Sequence, residues 1–251
     1  MNVLITSGGT KTPIDSVRSI TNTSSGKFGS EIATQLLING CKLTHLHAIG
    51  SPTPFKFEVD LANARNRDYV TQLDELHQFS KQYLSKYTEE TFNTYDDYAE
   101  KLESLCKAFQ YDIVILCAAV SDYQVANKVD GKICSKFNLE IKLEPTVKLI
   151  NKIKQWLPAT TLVGFKLTCN DTNDTLLDLA ATSIRKNGCD LVVANDLRDI
   201  QGQEKECWLV QKIHDNIVES PVRGTTKFIA DRIVGLLIRN DAFIGKVGRK
   251  E

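Results

Sequence analysis

The sequence predicts an α/β protein, with helices on both faces of a mainly parallel sheet in a Rossmann-like arrangement. Two observations lead to this prediction. Apolar segments of strand length alternate along the chain with amphipathic segments of helical length, which is typical of parallel sheets. A loop rich in glycine, serine and threonine separates the first predicted strand from the first predicted helix. No composition break or internal repeat divides the 251 residues, so we expect residues 1–251 to form one domain.

The first half of the chain begins with a predicted strand, Val3 to Thr6, which the glycine-rich loop follows. The next helix ends at the "NG" of residues 39 and 40 and has four apolar residues at helical spacing: Ile32, Ala33, Leu36 and Leu37. The segment "KLTHLHAI" then predicts a second strand. Residues 61–110 are polar, with leucine and phenylalanine at roughly helical spacing, and predict two helices.

The second half repeats the alternation. "DIVILCAA", "TTLVGF" and "DLVVAND" predict buried strands, and "TVKLINKIKQW" and "DLAATSIRKN" predict the helices between them. "CWLV" and "QKIHDNIVES" predict an antiparallel strand pair, and "TTKFIADRIVGLLIRN" predicts a final helix whose threonines cap its start. Around a "DG" turn, lysines alternate with apolar residues, which predicts an exposed hairpin, or flap, over residues 128–143.

The overall charge balance favours neither nucleic acid nor membranes as partners. The chain has 31 basic and 31 acidic residues, so its formal net charge is zero. It begins without a secretory signal pattern and contains no apolar run of the roughly 20 residues that cross a bilayer, so we expect a cytoplasmic protein. The seven cysteines include no C-x-x-C pair, which argues against a disulfide framework and against a zinc site.

The glycine-rich loop predicts an anion site. After a strand, free backbone N–H groups and the positive end of the following helix form a cradle for phosphate. A G-x-G-x-x-G fingerprint, an acidic residue after the second strand and a Tyr-x-x-x-Lys pair are all absent from the sequence, which argues against NAD. The segment "SSGKFG" lacks the first glycine and the final hydroxyl of a P-loop. The alternative for this loop is a solvated connection without a ligand.

Other candidate residues lie at predicted strand ends and on the flap. "CAAVSDY" follows a buried strand, at the edge of the sheet where ligands bind. Asp122 in this segment could accept hydrogen bonds from a base or a ribose, and the alternative is that it stabilises a turn or a helix start. Lys132 on the flap would place positive charge over a polyphosphate, and the alternative is a solvated lysine on an edge strand. Lys186 lies at a predicted helix C-terminus, which favours a cation. His45 and His47 share one strand face without a third metal ligand, which favours a structural role.

Five segments together show a family resemblance: "VLITSGGTKTPIDSVRSITNTSSGKFG", "CAAVSDY", "KI" after the "DG" turn, "LVGFKL" and "IRKNGCDLVVAND". In this order, and through nearly the whole chain, they resemble the phosphopantothenate–cysteine ligases of coenzyme A biosynthesis. The resemblance is to the stand-alone form, without the flavin-dependent decarboxylase domain that precedes the synthetase in many bacteria.

The resemblance implies a dimeric enzyme of Rossmann-like fold with a hairpin flap used in dimerisation. The family joins the carboxylate of 4'-phosphopantothenate to the amine of L-cysteine through an acyl-nucleotidylate, with release of pyrophosphate. CTP is the expected nucleotide, which would give an acyl-cytidylate and then CMP, and ATP is the alternative. Mg²⁺ is expected through the nucleotide phosphates, and neither flavin nor NAD is expected. The rival functions are an NAD-linked reductase and a non-catalytic nucleotide sensor.

The matching motifs imply a role for each site residue. Asn22 corresponds to the family asparagine of the amide-forming step, and Lys132 to the essential flap lysine. Nucleotide contacts are implied for Cys117, Ala118, Asp122, Lys132, Pro145, Thr146, Val147, Phe165 and Lys186. Contacts to phosphopantothenate and its phosphate are implied for Gly8, Gly9, Thr10, Ser24, Ser25, Gly26 and Lys27.

The chain departs from the family pattern at three places in the sequence. Many bacterial members carry K-x-K-K at the flap, whereas this chain reads "KICSK", so Lys136 is a candidate substitute for a missing lysine. Thr182 stands where a second family lysine is found. Glu144 precedes Pro145 where the family often has asparagine.

Overall fold

The computed structural model describes residues 1–55, 69–136, 138–200, 202–214 and 216–239. In these residues the strands are β1 (Asn2–Ser7), β2 (Lys11–Pro13), β3 (Ser19–Thr21), β4 (Lys42–Ala48), β5 (Tyr87–Phe92), β6 (Ile113–Leu116), β7 (Tyr123–Val125), β8 (Leu143–Pro145), β9 (Thr161–Thr168), β10 (Leu191–Asp196), β11 (Lys205–Ile213) and β12 (Asn216–Gly224). The α-helices are α1 (Lys27–Ile38), α2 (Tyr69–Tyr83), α3 (Tyr95–Ala108), α4 (Ile150–Trp156), α5 (Asn173–Asn187) and α6 (Thr226–Arg239). Within the same ranges, no helix has the length and apolar character needed to cross a bilayer.

One large sheet organises the fold, with eight strands in the order β12-β11-β10-β9-β6-β1-β4-β5. The strands from β10 to β5 in this order are parallel, and β11 and β12 add an antiparallel hairpin at one side. The chain first builds β4 and β5 on one side of β1 and then β6, β9 and β10 on the other. The predicted fold class is therefore confirmed, and a topological switch point lies between β1 and β6.

Helices cover both faces of this sheet because successive residues of a strand point to opposite sides. Val3 and Ile5 of β1 belong to the apolar cluster that includes α1 and α6. Leu4 belongs to the cluster on the other face, which includes α3, α4 and α5. All three side chains are fully buried, and burying each contributes about 1.5–3 kcal/mol. The two cores hold the strands whose carboxyl ends form the site.

The prediction of two helices over residues 61–110 is incomplete. The helices α2 and α3 are present, but β5 lies between them and pairs in parallel with β4. An edge strand has a single neighbour in its sheet, and Phe92 is the only residue of β5 that is buried. The segment "YTEETF" consequently lacks the apolar run that identifies the central strands. Residues 61–68 of this prediction lie outside the described residues.

The strands of the predicted hairpin do not lie directly on either side of the "DG" turn. The strand pair of this region is β7 with β8, in which Val125 lies opposite Leu143. Between these strands, residues 128–136 and 138–142 contain no strand, and Phe137 lies outside the described residues. Gly131 has a φ of +92°, but its backbone bonds go elsewhere in the chain.

The segment that contains the "DG" turn docks on residues 14–18. The Val129 N–H donates to the Ile14 carbonyl at 3.2 Å. The Gly131 N–H donates to Ser16 Oγ at 2.9 Å, and the Ser16 N–H donates to the Gly131 carbonyl at 3.0 Å. These long-range bonds replace the cross-strand bonds of the expected hairpin.

Candidate active site

The loops that follow β1 and β6 meet at the carboxyl edge of the sheet. Gly9 and Ala119 form a parallel bridge. The Ala119 N–H donates to the Gly8 carbonyl at 2.8 Å, and the Thr10 N–H donates to the Ala119 carbonyl at 3.2 Å. Ligands of open α/β sheets bind at such switch points. The glycine-rich loop and the "CAAVSDY" segment, which the sequence suggests separately, therefore form one site.

Three chain segments converge at two glycines of the cradle. Gly8 and Gly26 have positive φ values of +85° and +75°. A Cβ atom on Gly8 would lie 2.4 Å from Ser51 Oγ, and one on Gly26 would lie 2.8 Å from the same oxygen. No side chain fits at these distances. Glycine at both positions lets the loops after β1 and β4 meet the start of α1.

The amino end of α1 supplies the donors of the cradle. Gly26 stands at the N-cap position, where a glycine has no side chain to cap the helix. The first-turn N–H groups and the positive end of the helix dipole favour an anion at this point. The Ser24 N–H donates to the Asn22 carbonyl at 3.0 Å, and the Lys27 N–H lies 3.4 Å from Ser25 Oγ. The residues predicted to bind phosphate thus lie in one cluster of loops.

Asn22, the residue predicted to serve amide formation, lies against this cradle. A Cβ atom on Gly9 would lie 2.5 Å from the Asn22 carbonyl oxygen, so the absence of a side chain there allows the contact. The Asn22 N–H donates to the Thr10 carbonyl at 3.5 Å. Thr10 Oγ1 in turn accepts a hydrogen bond from the Ser121 N–H at 2.9 Å. These bonds connect Asn22 to the loop after β6.

A cavity of about 190 Å³ opens beside the loop after β6. The Thr146 hydroxyl donates to the Ser121 carbonyl at 2.7 Å, and the Tyr95 hydroxyl donates to the Val147 carbonyl at 2.7 Å. Pro145 is the last residue of β8, directly before Thr146 and Val147, and it pairs with Tyr123 of β7. Five of the residues predicted to bind the nucleotide line the cavity: Ala118, Asp122, Thr146, Val147 and Phe165.

Phe165 connects the cavity to the cradle. Cys117 does not line the cavity and packs against the apolar cluster that includes α1 and α6. The ring of Phe165 meets that of Phe28 on α1 edge to face, with centroids 5.7 Å apart. Burial raises the pKa of the Cys117 thiol to about 12, so the thiol is neutral at pH 7. Cys117 therefore provides packing rather than a nucleophile.

Asp122 has a partner that the sequence analysis does not single out. Its Oδ1 pairs with Nζ of Lys148, and both side chains are exposed at the cavity. The segment "TVKLINKIKQW" predicts a helix from Thr146 onward, but α4 begins only at Ile150. Lys148 therefore lies in the loop that borders the cavity and not on a helix.

The three lysines considered for the nucleotide phosphates lie in different places. Lys132 is exposed in the segment that docks on residues 14–18, and Lys136 is exposed four residues further along. Lys186 lies at the end of α5, which runs for 15 residues, about 22 Å, from the carboxyl edge of the sheet back to the amino edge. A single chain therefore does not bring Lys186 to the cavity, and its contact with the nucleotide remains a prediction.

Asp15 is a buried residue of this region to which sequence reasoning assigns no role. Oδ1 accepts hydrogen bonds from the N–H groups of Val17 at 2.9 Å and Arg18 at 2.8 Å, and Oδ2 accepts one from the Ile133 N–H at 3.0 Å. The Ile133 bond first, and then the bonds from Val17 and Arg18, hold the pKa of Asp15 well below its usual range although burial opposes this. The available signal is the "PIDSVR" motif, in which an acid and an arginine stand three residues apart.

His45 and His47 have partners within the protein. His45 is fully buried, with Nε2 2.8 Å from Ser7 Oγ and Nδ1 3.0 Å from the Tyr87 hydroxyl. Burial lowers the pKa of His45 to about 3, so its ring is neutral at physiological pH. His47 Nε2 lies 2.8 Å from Glu89 Oε1. In the part of the chain that the structure describes, no group of three or more His, Cys, Asp or Glu residues is arranged to hold a metal ion.

The fold is that of a Rossmann-like α/β domain, and the candidate site lies at its switch point, where the glycine-rich loop meets the start of α1. Residues 1–66 and 85–239 match the family described as the DNA/pantothenate metabolism flavoprotein C-terminal domain. The chain belongs to this family.

Curated relatives extend the comparison. The chain is 34% identical over 231 residues to the coenzyme A biosynthesis bifunctional protein CoaBC of Thermococcus kodakarensis, which covers 92% of this chain and 49% of that protein. It is 27% identical over 239 residues to phosphopantothenate–cysteine ligase CAB2 of Saccharomyces cerevisiae, over 78% of this chain and 65% of that protein. The chain thus spans about half the length of the bifunctional relatives that it matches.

Two solved structures have the same architecture. The DNA/pantothenate metabolism flavoprotein from Streptococcus pneumoniae matches with a TM-score of 0.74 and 27% identity, over 94% of this chain and 98% of that one. A Cab2 variant in complex with phosphopantothenate-cysteine matches with a TM-score of 0.82 and 25% identity, over 98% and 88%.

Proposed function

We propose that the protein is a phosphopantothenate–cysteine ligase, which forms 4'-phosphopantothenoyl-L-cysteine in coenzyme A biosynthesis. The observation that carries the proposal is the meeting of Gly8 with Gly26 and of Gly9 with Asn22 at the switch point, beside the cavity lined by the motif residues after β6. The names of the similar proteins support it, because one relative is a phosphopantothenate–cysteine ligase and one solved relative holds phosphopantothenate-cysteine.

The first step activates a carboxylate, which is otherwise a poor acyl donor. A carboxylate oxygen of phosphopantothenate attacks the α-phosphorus of the nucleoside triphosphate, and the bond from this phosphorus to the bridging oxygen breaks, so that pyrophosphate leaves. Lys132 is the cation that we assign to the phosphate charge in this step. A Mg²⁺ ion in this step would be held mainly by the nucleotide phosphates, where it would stabilise the leaving pyrophosphate.

The second step forms the amide. The cysteine amine attacks the activated acyl carbon, the nucleoside monophosphate leaves, and the amine loses a proton to solvent. We assign Asn22 to this step, since its side-chain amide can donate a hydrogen bond to the acyl oxygen as charge develops there. Its backbone is held against Gly9 and Thr10, which limits the motion of the group.

The two anionic substrates occupy different parts of the site in this proposal. The phosphate of phosphopantothenate binds at the start of α1, where the N-cap residue, Gly26, has no side chain to accept from the helix N–H groups. The nucleotide binds at the cavity beside Ala118 and Phe165. We assign CTP as the nucleotide on the family resemblance, and a comparison with ATP tests this assignment.

The proposal includes a homodimer that covers apolar side chains of the flap. Leu139, Ile141 and Leu143 are 47%, 37% and 42% exposed in the single chain. Exposed apolar groups clustered in one segment are typical of association surfaces. Light scattering of the purified protein should give the mass of two chains, and a monomer at micromolar concentration would overturn this part of the proposal.

Pyrophosphate release by the purified protein tests the proposed reaction. We expect release to require both the nucleoside triphosphate and phosphopantothenate. Nucleotide binding without release, with either CTP or ATP, would instead indicate a nucleotide sensor. Release that does not depend on phosphopantothenate would indicate a different reaction.

A further inference from the structure

We propose that Asp15 is a positioning residue for the ligase reaction. Its carboxylate joins the loop that leads to Asn22 to the segment that carries Lys132, and this connection holds Lys132 at the site. The inference rests on the proposed function, because it concerns the step that we assign to Lys132.

The two oxygens of the Asp15 carboxylate have separate tasks. Oδ1 accepts from the N–H groups of Val17 and Arg18, which closes the local turn. Oδ2 accepts from the Ile133 N–H at 3.0 Å, across 118 residues of sequence, and from Arg18 Nε at 3.0 Å. Oδ1 therefore stabilises the local turn, and Oδ2 connects this turn to the segment that carries Lys132.

Arg18 also binds the backbone of Ile133. Its Nη2 donates to the Ile133 carbonyl at 2.7 Å and lies 2.8 Å from Asp15 Oδ2. Both backbone groups of Ile133 are consequently bound by the Asp15–Arg18 pair. Because these bonds go to the backbone, they do not depend on which side chain residue 133 carries.

The residue on the other side of Lys132 is bound in the same way. Gly131 donates its N–H to Ser16 Oγ at 2.9 Å and accepts a hydrogen bond from the Ser16 N–H at 3.0 Å. Lys132 thus stands between two residues whose backbone N–H and carbonyl groups are both occupied, while its own side chain is exposed. This arrangement fixes the backbone of Lys132 and leaves its ammonium group free to reach a ligand.

The burial and charge of Asp15 suit this positioning role. The residue is 3% exposed, so its charge is stable only because each oxygen accepts several donors. Arg18 lies four residues before Asn22 in the sequence. One carboxylate therefore connects the loop assigned to amide formation with the lysine assigned to carboxylate activation, and a small displacement of either group would slow the reaction.

Asp15→Asn is the direct test, because it keeps the shape of the side chain. The amide oxygen can still accept from Val17 and Arg18, but an NH₂ group in place of Oδ2 would face the donors of Ile133 and Arg18. We expect kcat for pyrophosphate release to fall about tenfold or more, with the KM for phosphopantothenate changed by less than about twofold. We also expect faster hydrogen exchange in residues 128–136, measured by mass spectrometry.

Asp196→Asn is a matched control. Asp196 is 2% exposed, and its Oδ1 accepts from Arg198 Nε at 2.8 Å and from the Arg198 N–H at 3.1 Å. It belongs to a buried aspartate–arginine network like that of Asp15, but within the described part of the chain its hydrogen bonds go to Thr168, Asp171 and Arg198 and not to residues 128–136. We expect this variant to lose stability while it keeps kcat and the slow exchange of residues 128–136.

The outcomes separate the inference from the proposed function. If Asp15→Asn keeps the wild-type kcat or the wild-type exchange, or if Asp196→Asn loses kcat equally, Asp15 is not a positioning residue. If the wild-type protein itself releases no pyrophosphate, the proposed function fails, and the exchange measurement still decides whether Asp15 holds the segment. Should Asp15→Asn not fold, the Ile133 N–H of the wild-type protein can be followed by hydrogen exchange in NMR spectra: slow exchange is expected from its bond to Asp15 Oδ2, and exchange at the rate of an unprotected amide would overturn the inference.

Discussion

The Ser51 hydroxyl occupies the space that a side chain on Gly8 would need, since a Cβ atom there would lie 2.4 Å from Ser51 Oγ. Gly26 approaches the same hydroxyl, at 2.8 Å for its own Cβ position. The loops after two neighbouring parallel strands and the start of α1 therefore touch through their backbones. This contact, and not a side-chain motif, determines the shape of the anion cradle.

The effect of a side chain at Gly8 can be separated from the cost of its backbone conformation. Gly8 and Gly50 both have a φ of +85°, but among the described residues no atom beyond the chain neighbours lies within 4 Å of a Cβ placed on Gly50. We expect Gly50→Ala to lower the free energy of unfolding by about 1–2 kcal/mol, from backbone strain alone. Gly8→Ala should lose roughly 1–3 kcal/mol more through the clash and should abolish turnover. Equal losses in chemical denaturation would contradict the described packing.

Lys132 should be required for the release of pyrophosphate. Lys132→Gln removes the charge that we assign to the phosphates, and we expect the rate to fall about 100-fold or more. Lys128→Gln is the matched control, because Lys128 is an exposed lysine of the same segment. Its rate should stay within about threefold of wild type. Similar rates for the two variants would remove Lys132 from its assigned role.

Asn22 should be required for the second step and not for the first. In Asn22→Ala we expect the first turnover of pyrophosphate to be kept, because activation does not use the Asn22 side chain in the proposed scheme. Little amide product should follow, so the acyl-nucleotidylate should accumulate and be detectable by mass spectrometry after an acid quench. Normal amide formation in this variant would show that Asn22 does not serve the step.

The contribution of Asp15 to stability should depend on pH in one direction. Its pKa is lowered in the folded protein, so its stabilising effect is full above the unfolded pKa of about 4 and is lost as the pH falls below that value. Urea denaturation should show a constant gap in stability between wild type and Asp15→Asn from pH 5 to 8. The gap should shrink below about pH 4. A gap that widens with acid would contradict the described hydrogen bonds.

Thiol reactivity should report on the segment that carries Lys132. Cys134 and Cys169 are exposed, whereas burial raises the pKa of Cys106 and Cys207 to about 12. At pH 8 we expect the two exposed thiols of the folded protein to react rapidly with a disulfide reagent, and all seven to react after unfolding. Bound nucleotide with phosphopantothenate should slow Cys134, two residues from Lys132, and leave Cys169 unchanged. Equal protection of both would not support a ligand at Lys132.

The cradle and the central strands can be predicted from the sequence because their signals are local. Val3 to Thr6 is an apolar run of strand length, and the glycines after it occupy positions that need positive φ or close contact. The flap could not be predicted in this way. Gly131 is part of an apparent hairpin turn, yet its bonds go to Ser16, 115 residues away. Tertiary contacts of this kind leave no periodic pattern.

The long-range contact of Asp15 likewise could not be predicted from the sequence. Its motif, "PIDSVR", indicates a local turn with Arg18, and the structure contains this turn. The bond to Ile133 spans 118 residues and depends on how the chain returns to the carboxyl edge after β7. The residues that we propose to bind ligands can therefore be selected from the sequence by type and spacing, whereas the residue that connects two loops could not.

The most direct test of the account is the product of the purified wild-type protein. The protein is incubated with 4'-phosphopantothenate, L-cysteine and Mg²⁺, with CTP or ATP at equal concentration, and the mixture is analysed by mass spectrometry. We expect 4'-phosphopantothenoyl-L-cysteine together with one equivalent of pyrophosphate and of nucleoside monophosphate, faster with CTP than with ATP. The absence of this amide product with both nucleotides would contradict the account.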